Sequence, residues 1–221
     1  MTTERFTNRR EAGKLLAERL VASYANSSNV VVLGLPRGGV PVAFEVARAL
    51  HAPLDICVVR KLGSPGNSEL AMGAIAEGGV RVLNDDVVRS LGIDTGVIEA
   101  ITRQETHEMN RRVQAYRGSH GALDLRGKTV VLVDDGVATG STMRAAIRAI
   151  RMHHPARIIA AVPTIARSTY REMLPEVDDM VALQTPEPFF GVGEWYTDFH
   201  QTSDAEVSAL MQRARHENLV K

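Results

Sequence analysis

A chain of 221 residues with an apolar fraction of 44% is long enough for one sizeable α/β core and ordinary in composition for a globular protein. Lys plus Arg and Asp plus Glu each number 26, which excludes both the global basic field of a nucleic-acid binder and an acidic solvating tail. The single cysteine, Cys57, reads as a small buried hydrophobe and cannot close an internal disulfide, which fits a reducing compartment.

The N-terminal stretch "MTTERFTNRREAGKLL" carries charges where a signal peptide needs an apolar core, and no apolar run approaches ~18 residues, so a cytoplasmic protein is expected. Helical spacing runs from Asn8 to Tyr24, with Ala12, Leu15, Leu16, Leu20 and Tyr24 on one face. "VVVLGL" (Val30 to Leu35) is too apolar for a one-sided sheet and reads as a buried strand, followed by a helix that begins near Pro41. The unit recurs: "LDICVV" and "TVVLVDD" are strands, "STMRAAIRAIRMHH" a helix, "RIIAAVP" a strand closed by Pro163, and "MVALQ" (Met180 to Gln184) a last strand. Strands alternating with helices predict an α/β fold whose central sheet is mainly parallel, flanked by helices and joined by right-handed crossovers. Between about 62 and 126 the rhythm breaks into a glycine-rich loop, "LGSPGNSELAMGAIAEGG", a short strand, "VRVLN", and a polar helix from Thr95 to Tyr116. That segment reads as an insertion of the lid or partner-surface kind in one domain spanning residues 1–221.

Familiar nucleotide and hydrolase motifs do not fit. "GLPRGGV" lacks the Lys-Ser/Thr ending of a P-loop and the G-x-G-x-x-G spacing of a dinucleotide site. No G-x-S-x-G elbow occurs, and the seven histidines show no zinc spacing. What "VVLVDDGVATGST" (Val130 to Thr142) offers is a strand ending in two carboxylates, Asp134 and Asp135. A turn follows in which Gly136, Ala138 and Gly140 bare backbone N–H groups, and Thr139, Ser141 and Thr142 add hydroxyls at a helix N-terminus. An anion cradle beside two acceptors matches a ribose 5-phosphate, with the amides on the phosphate and the carboxylates on the sugar hydroxyls.

This stretch resembles the phosphoribosyl pyrophosphate (PRPP) signature of type I phosphoribosyltransferases, with Gly136 in place of the usual aliphatic residue or Ser. The resemblance implies that Asp134 and Asp135 hold the ribose hydroxyls and that Val137, Ala138, Thr139, Gly140, Ser141 and Thr142 bind the 5-phosphate. It further implies that "GLPRGG" supplies Arg37, Gly38 and Gly39 to the pyrophosphate, often through a strained peptide. Arg60 and Lys61 in "VVRKLG" are similar to the Arg-Lys pair that precedes the mobile loop of orotate enzymes, and would join Arg37 as the catalytic cations on the leaving group. All five charged residues are expected at carboxyl ends of parallel strands, where open α/β sheets bind ligands. Mg²⁺ is the implied cofactor, held mostly by the substrate and reached by Asp134 and Asp135 through water.

The loop from Gly63 to Gly79 has a lid's glycine content, yet carries no Lys or Arg, only Glu69 and Glu77. Ala138 stands where purine-salvage members carry an Asp near the base, which disfavours hypoxanthine and guanine as acceptors. Acceptor choice in the family comes from a hood, here about 185–203, in which Phe189, Phe190, Trp195, Tyr196 and Phe199 hold half of the chain's Phe, Tyr and Trp residues. Phe189 and Phe199 are expected to pack inside, leaving Trp195, Tyr196 and Asp198, with His200, for the acceptor pocket. The implied partners are PRPP, a base-like acceptor and a second copy in a homodimer, with no nucleic acid and no membrane. A non-catalytic PRPP or nucleotide sensor, whose Thr95 to Tyr116 helix engages a partner, is the alternative.

Overall fold

A computed structural model describes residues 4–217 and Leu219, apart from the side chains of Ser68 and Glu69. Five strands, β1 (Val30–Gly34), β2 (Leu54–Ile56), β6 (Thr129–Val133), β7 (Arg157–Thr164) and β8 (Asp179–Gln184), form a parallel sheet in the order β2-β1-β6-β7-β8. Both faces of β1 are buried because alternate residues feed two cores. Val30 and Val32 meet α1 (Arg9–Tyr24) and α2 (Gly39–Leu50), whereas Val31 and Leu33 meet α5 (Ser141–Arg151) and α6 (Arg167–Met173). That explains the nearly continuous apolar runs.

α1 starts where expected, since the Asn8 side chain caps it by accepting from the Glu11 N–H at 3.0 Å. Leu15 departs from the expected buried face and is 39% exposed. α2 begins at Gly39, two residues earlier than the Pro41 reading, so the proline lies within the first turn.

The main difference lies in the insertion. β2 ends at Ile56, and Val59 opens β3 (Val59–Ser64) of a separate antiparallel ribbon with β4 (Asn67–Ala76) and β5 (Val80–Leu83). Gly63 to Gly79 is therefore mostly strand rather than loop, turning at Pro65 and Gly66. The side chain of Glu69 lies outside the described residues. A short helix α3 (Asp85–Ser90) leads to α4 (Thr95–Arg117). The buried Arg117 at the end of α4 bonds Asp55 of β2 at 3.0 Å and also Glu77 beyond β4, tying the strand before the insertion and the insertion's middle to one guanidinium.

The hood region is held by the N-terminal segment. Phe6 N–H donates to the Trp195 carbonyl at 2.9 Å, and Thr197 and Asp198 N–H groups donate back to Phe6 and Thr7 carbonyls at 2.8 Å. The last helix, α7 (Asp204–His216), opens on a capping box between Ser203 and Glu206 and packs against α4 and α2. Among the described residues, no helix is long and apolar enough to cross a membrane.

Candidate functional site

β1 and β6 pair in register from Val30 against Thr129 to Gly34 against Val133, so the loops leaving their carboxyl ends run side by side. Contact between them is intimate. A Cβ on Gly39 would lie 2.7 Å from the Val133 carbonyl oxygen, and one on Gly38 would collide with the Asp135 carboxylate. These two glycines are required by close approach to the acidic pair. The Pro36–Arg37 peptide is cis, and the N–H groups of Arg37 and Gly38 have no partner among the described residues.

The two carboxylates are not equivalent. Asp135 is buried and accepts from Arg9 Nε at 2.7 Å, while its backbone carbonyl accepts from the buried Tyr196 hydroxyl at 2.5 Å. Arg9 also donates to the His200 carbonyl at 2.7 Å and lies 3.9 Å from the centre of the Phe199 ring. Asp134, half-buried, lines the hollow of the turn and accepts from the Asp135 N–H at 2.9 Å. Withdrawal from water and the neighbouring Asp135 charge push the Asp134 carboxyl well above the ordinary carboxylate range. Asp135 is thus tied to Arg9, and Asp134 is the carboxyl pushed toward its protonated form.

The turn after them encloses a hollow of about 200 Å³ lined by Asp134 and residues 136–143. Among the described residues the N–H groups of Ala138, Thr139, Gly140 and Thr142 have no partner, and the Thr139 and Ser141 hydroxyls lie 3.1 Å apart. Four free amides at the start of a helix make an anion site. Two further contacts brace it: Thr169 Oγ1 donates to the Ala138 carbonyl at 2.5 Å and Arg144 Nη1 to the Thr139 carbonyl at 2.8 Å.

Two details correct the sequence reading of this turn. The Val137 N–H donates to the Thr164 carbonyl at 2.9 Å and its side chain is buried, so Val137 shapes the turn and offers no amide to a phosphate. Gly136 does more than bare the backbone: a Cβ there would collide with Val192 of the hood and sit 3.0 Å from Thr164 Cγ2. Its bareness lets the hood lie against the turn.

The cations are dispersed. Arg37 faces Asp204 at 3.6 Å, at the start of α7. Arg60 and Lys61 leave the parallel sheet's edge altogether, because they belong to β3 of the ribbon. Arg60 pairs with Glu105 of α4 at 2.6 Å, while Lys61 lines a second cavity against α5 and has no ion pair among the described residues. The expectation that all five charged residues share the carboxyl edge fails for these two. A three-residue β2 could not carry them there.

The aromatic hood also differs from expectation. Tyr196 is buried against Phe6 and Phe199 and is committed to the Asp135 carbonyl, so it braces the site from behind. Phe189 stacks on half-buried Trp195 with ring centres 6.1 Å apart, and Phe199 is 37% exposed under Arg9. Neither phenylalanine is packed inside. Trp195 Nε1 is buried without a partner, and Asp198 is exposed and lies 3.3 Å from His200. The structure thus separates the three acceptor candidates. Sequence reasoning missed Arg9 and Val192, whose roles arise only from contacts across long stretches of chain.

Among the described residues, no three His, Cys, Asp or Glu side chains come together as a protein-built metal cage. The carboxylate oxygens of Asp134 and Asp135 suit a hard cation that keeps its waters and shares itself with a phosphorylated ligand, which fits Mg²⁺.

With parallel sheet, amide cradle and glycine-packed second loop in place, the class is defined. Residues 4–196 match the model of the phosphoribosyl transferase domain, and the chain belongs to that family, with its type I fold. A Mycobacterium tuberculosis protein that carries the name phosphoribosyl transferase is 48% identical over 96% of the chain. The chain spans 47% of that relative, about half its length. A solved structure from Thermus thermophilus is 41% identical, with a TM-score of 0.84 over 95% of this chain and 98% of that one. The bifunctional protein PyrR of Trichormus variabilis is 29% identical over 77% of the chain and 74% of its own length.

Proposed function

We propose that the chain transfers the 5-phosphoribosyl group of PRPP to a nitrogenous acceptor and releases pyrophosphate, with Mg²⁺ as cofactor. The observation that carries this reading is the hollow of free amides and hydroxyls ending on the Asp134 carboxylate. The amides of residues 138–140 and 142 hold the 5-phosphate, and Asp134 and Asp135 accept from the ribose hydroxyls. The free N–H groups of Arg37 and Gly38, beside the acidic pair, receive the pyrophosphate together with the Arg37 side chain. Mg²⁺, when bound, supplies neutralisation of the pyrophosphate charge, with Asp134 and Asp135 reaching it through water. In the chemical step the acceptor nitrogen's lone pair forms a bond to C1 as the C1–O bond breaks and its electron pair departs with pyrophosphate. The protein contributes positioning and charge stabilisation. Ala138 cannot take a proton, so the acceptor is one that reaches the site acidic or already activated.

A second reading rests on Arg37 and Arg60. Both are held by carboxylates of the chain, Asp204 and Glu105, as suits a protein that binds PRPP and passes the signal on through α4 and α7. A cytoplasmic setting and a homodimer belong to the same proposal. One experiment separates the two readings: incubation with PRPP, Mg²⁺ and a panel of nitrogenous bases, following pyrophosphate release. Turnover on an acceptor supports the transferase, and PRPP binding without turnover on any supports the sensor. The Asp134→Asn, Asp135→Asn double variant is expected to lose PRPP affinity by more than about 100-fold, as loss of charge-assisted hydrogen bonds implies. Unchanged affinity would sink the site assignment.

A further inference from the structure

Along α5 from the cradle lies a cavity of about 280 Å³ whose lining includes Lys61, Asn84, Ser141, Arg144 and Arg148. Ser141, Arg144 and Arg148 recur at helical spacing, so they form one stripe on the face of α5 that looks at the ribbon. Side chains on a helix lean toward its N-terminus, which aims both arginines back at the cradle. Small residues of β4, Ala71, Gly73 and Ala74, keep the opposite wall open.

The charges here are unevenly committed. Arg144 is balanced by Glu176 at 2.7 Å and Glu172 at 3.0 Å and braces the Thr139 carbonyl. The Lys61 and Arg148 side chains have no ion pair and no hydrogen bond among the described residues, and the described residues that line the cavity include no carboxylate. Two spare cations facing one cavity, which shares Ser141 with the phosphate hollow, call for an anion that continues from one space to the other. The run from Ser141 to Arg148 covers roughly 10 Å of helix at 1.5 Å per residue, a span suited to a short phosphate chain.

We propose that this cavity is a second anion subsite, and that it takes the outer phosphates of a nucleoside 5′-di- or triphosphate whose first phosphate sits in the 138–142 cradle. Such a ligand would occupy the PRPP position and act as a competitive effector. The inference rests on the cradle being a phosphate site, and the two can fail separately.

Calorimetric titration of the full chain with AMP, ADP and ATP, in EDTA at fixed ionic strength, tests it. AMP reports the cradle and the increment from AMP to ADP reports the second subsite. ADP is expected to bind about tenfold tighter than AMP, the scale of one or two charge-assisted hydrogen bonds at a partly wet site. Arg148 is exposed, so Arg148→Met should fold normally, abolish most of that increment and leave AMP affinity within about twofold, with Arg148→Lys recovering part of it. Equal affinity for AMP and ADP, or an increment that survives in Arg148→Met, overturns the subsite while leaving the cradle intact. Failure of every nucleotide to bind overturns both.

Discussion

The two flanks of the amide cradle are built in opposite ways. On the acidic flank, Arg9 and Asp135 are both nearly buried, the pair is aligned at 2.7 Å, and Tyr196 and Phe199 close around it. On the ribbon flank, Arg60 and Glu105 pair while partly wet, and Lys61 and Arg148 have no ion pair among the described residues. A buried, committed charge holds a shape before ligand arrives, whereas an uncommitted, hydrated one answers to whatever anion appears. The acidic flank is therefore a fixed half and the ribbon flank an adjustable half of one groove.

The sharpest way to break this contrast is Arg9→Met. Removing one partner of a buried pair leaves Asp135 uncompensated, and a loss of about 3–5 kcal/mol in urea denaturation is expected, with Arg9→Lys less damaging. A loss below about 1 kcal/mol would show that the flank is not held by that pair. Gly136→Ala comes next: its Cβ collides with Val192, so about 1–3 kcal/mol should be lost. Trp195 fluorescence should change as the hood is displaced, since Trp195 is the chain's single tryptophan. Adding Val192→Ala should return part of the stability, and additivity of the two changes would deny the contact.

Asp134→Asn should act in the other direction. A carboxyl raised in the folded state binds its proton more tightly there than in the unfolded chain. Its contribution is therefore favourable at low pH and is lost as pH rises through the raised folded value. At neutral pH the variant should melt higher than the parent by about 2–4 °C, the scale of 1 kcal/mol at this chain length, and the gain should vanish in acid. A constant difference across pH would refute the assigned cause. The smallest effect is expected for Arg60→Gln, where a partly hydrated pair with Glu105 contributes about 0.2–1 kcal/mol that fades in high salt.

Much of the fixed half was legible in the sequence. The doubly buried strands announce themselves as apolar runs, and "DDGVATGST" carries its strand, turn and helix signals within a few adjacent residues. The adjustable half was not. Its hairpin is interrupted by Gly, Ala and Ser, whose small side chains mute the period-two alternation. The turn at Pro65 and Gly66 was hidden in what looks like one long glycine-rich loop. Arg9 was illegible for another reason. Its partner lies 126 positions away, and a first-turn arginine on a capped helix looks the same whether it meets solvent or a buried carboxylate. Gly136 reads in the sequence as one of the residues that bare the turn's amides, when the contact that requires it comes from Val192.

The guanidinium of Arg117 joins Asp55, which precedes the inserted segment, to Glu77, which lies in its middle, while being itself the last residue of α4. The segment is consequently a loop knotted at its neck. Bending at the neck would part the buried Arg117 and Asp55 from each other and from half-buried Glu77, so the hairpin between β3 and β4 can deform only toward its exposed tip at Pro65 and Gly66. Lengthening or trimming that tip changes the length of the hairpin without altering where its root stands, since the root is fixed by Arg117.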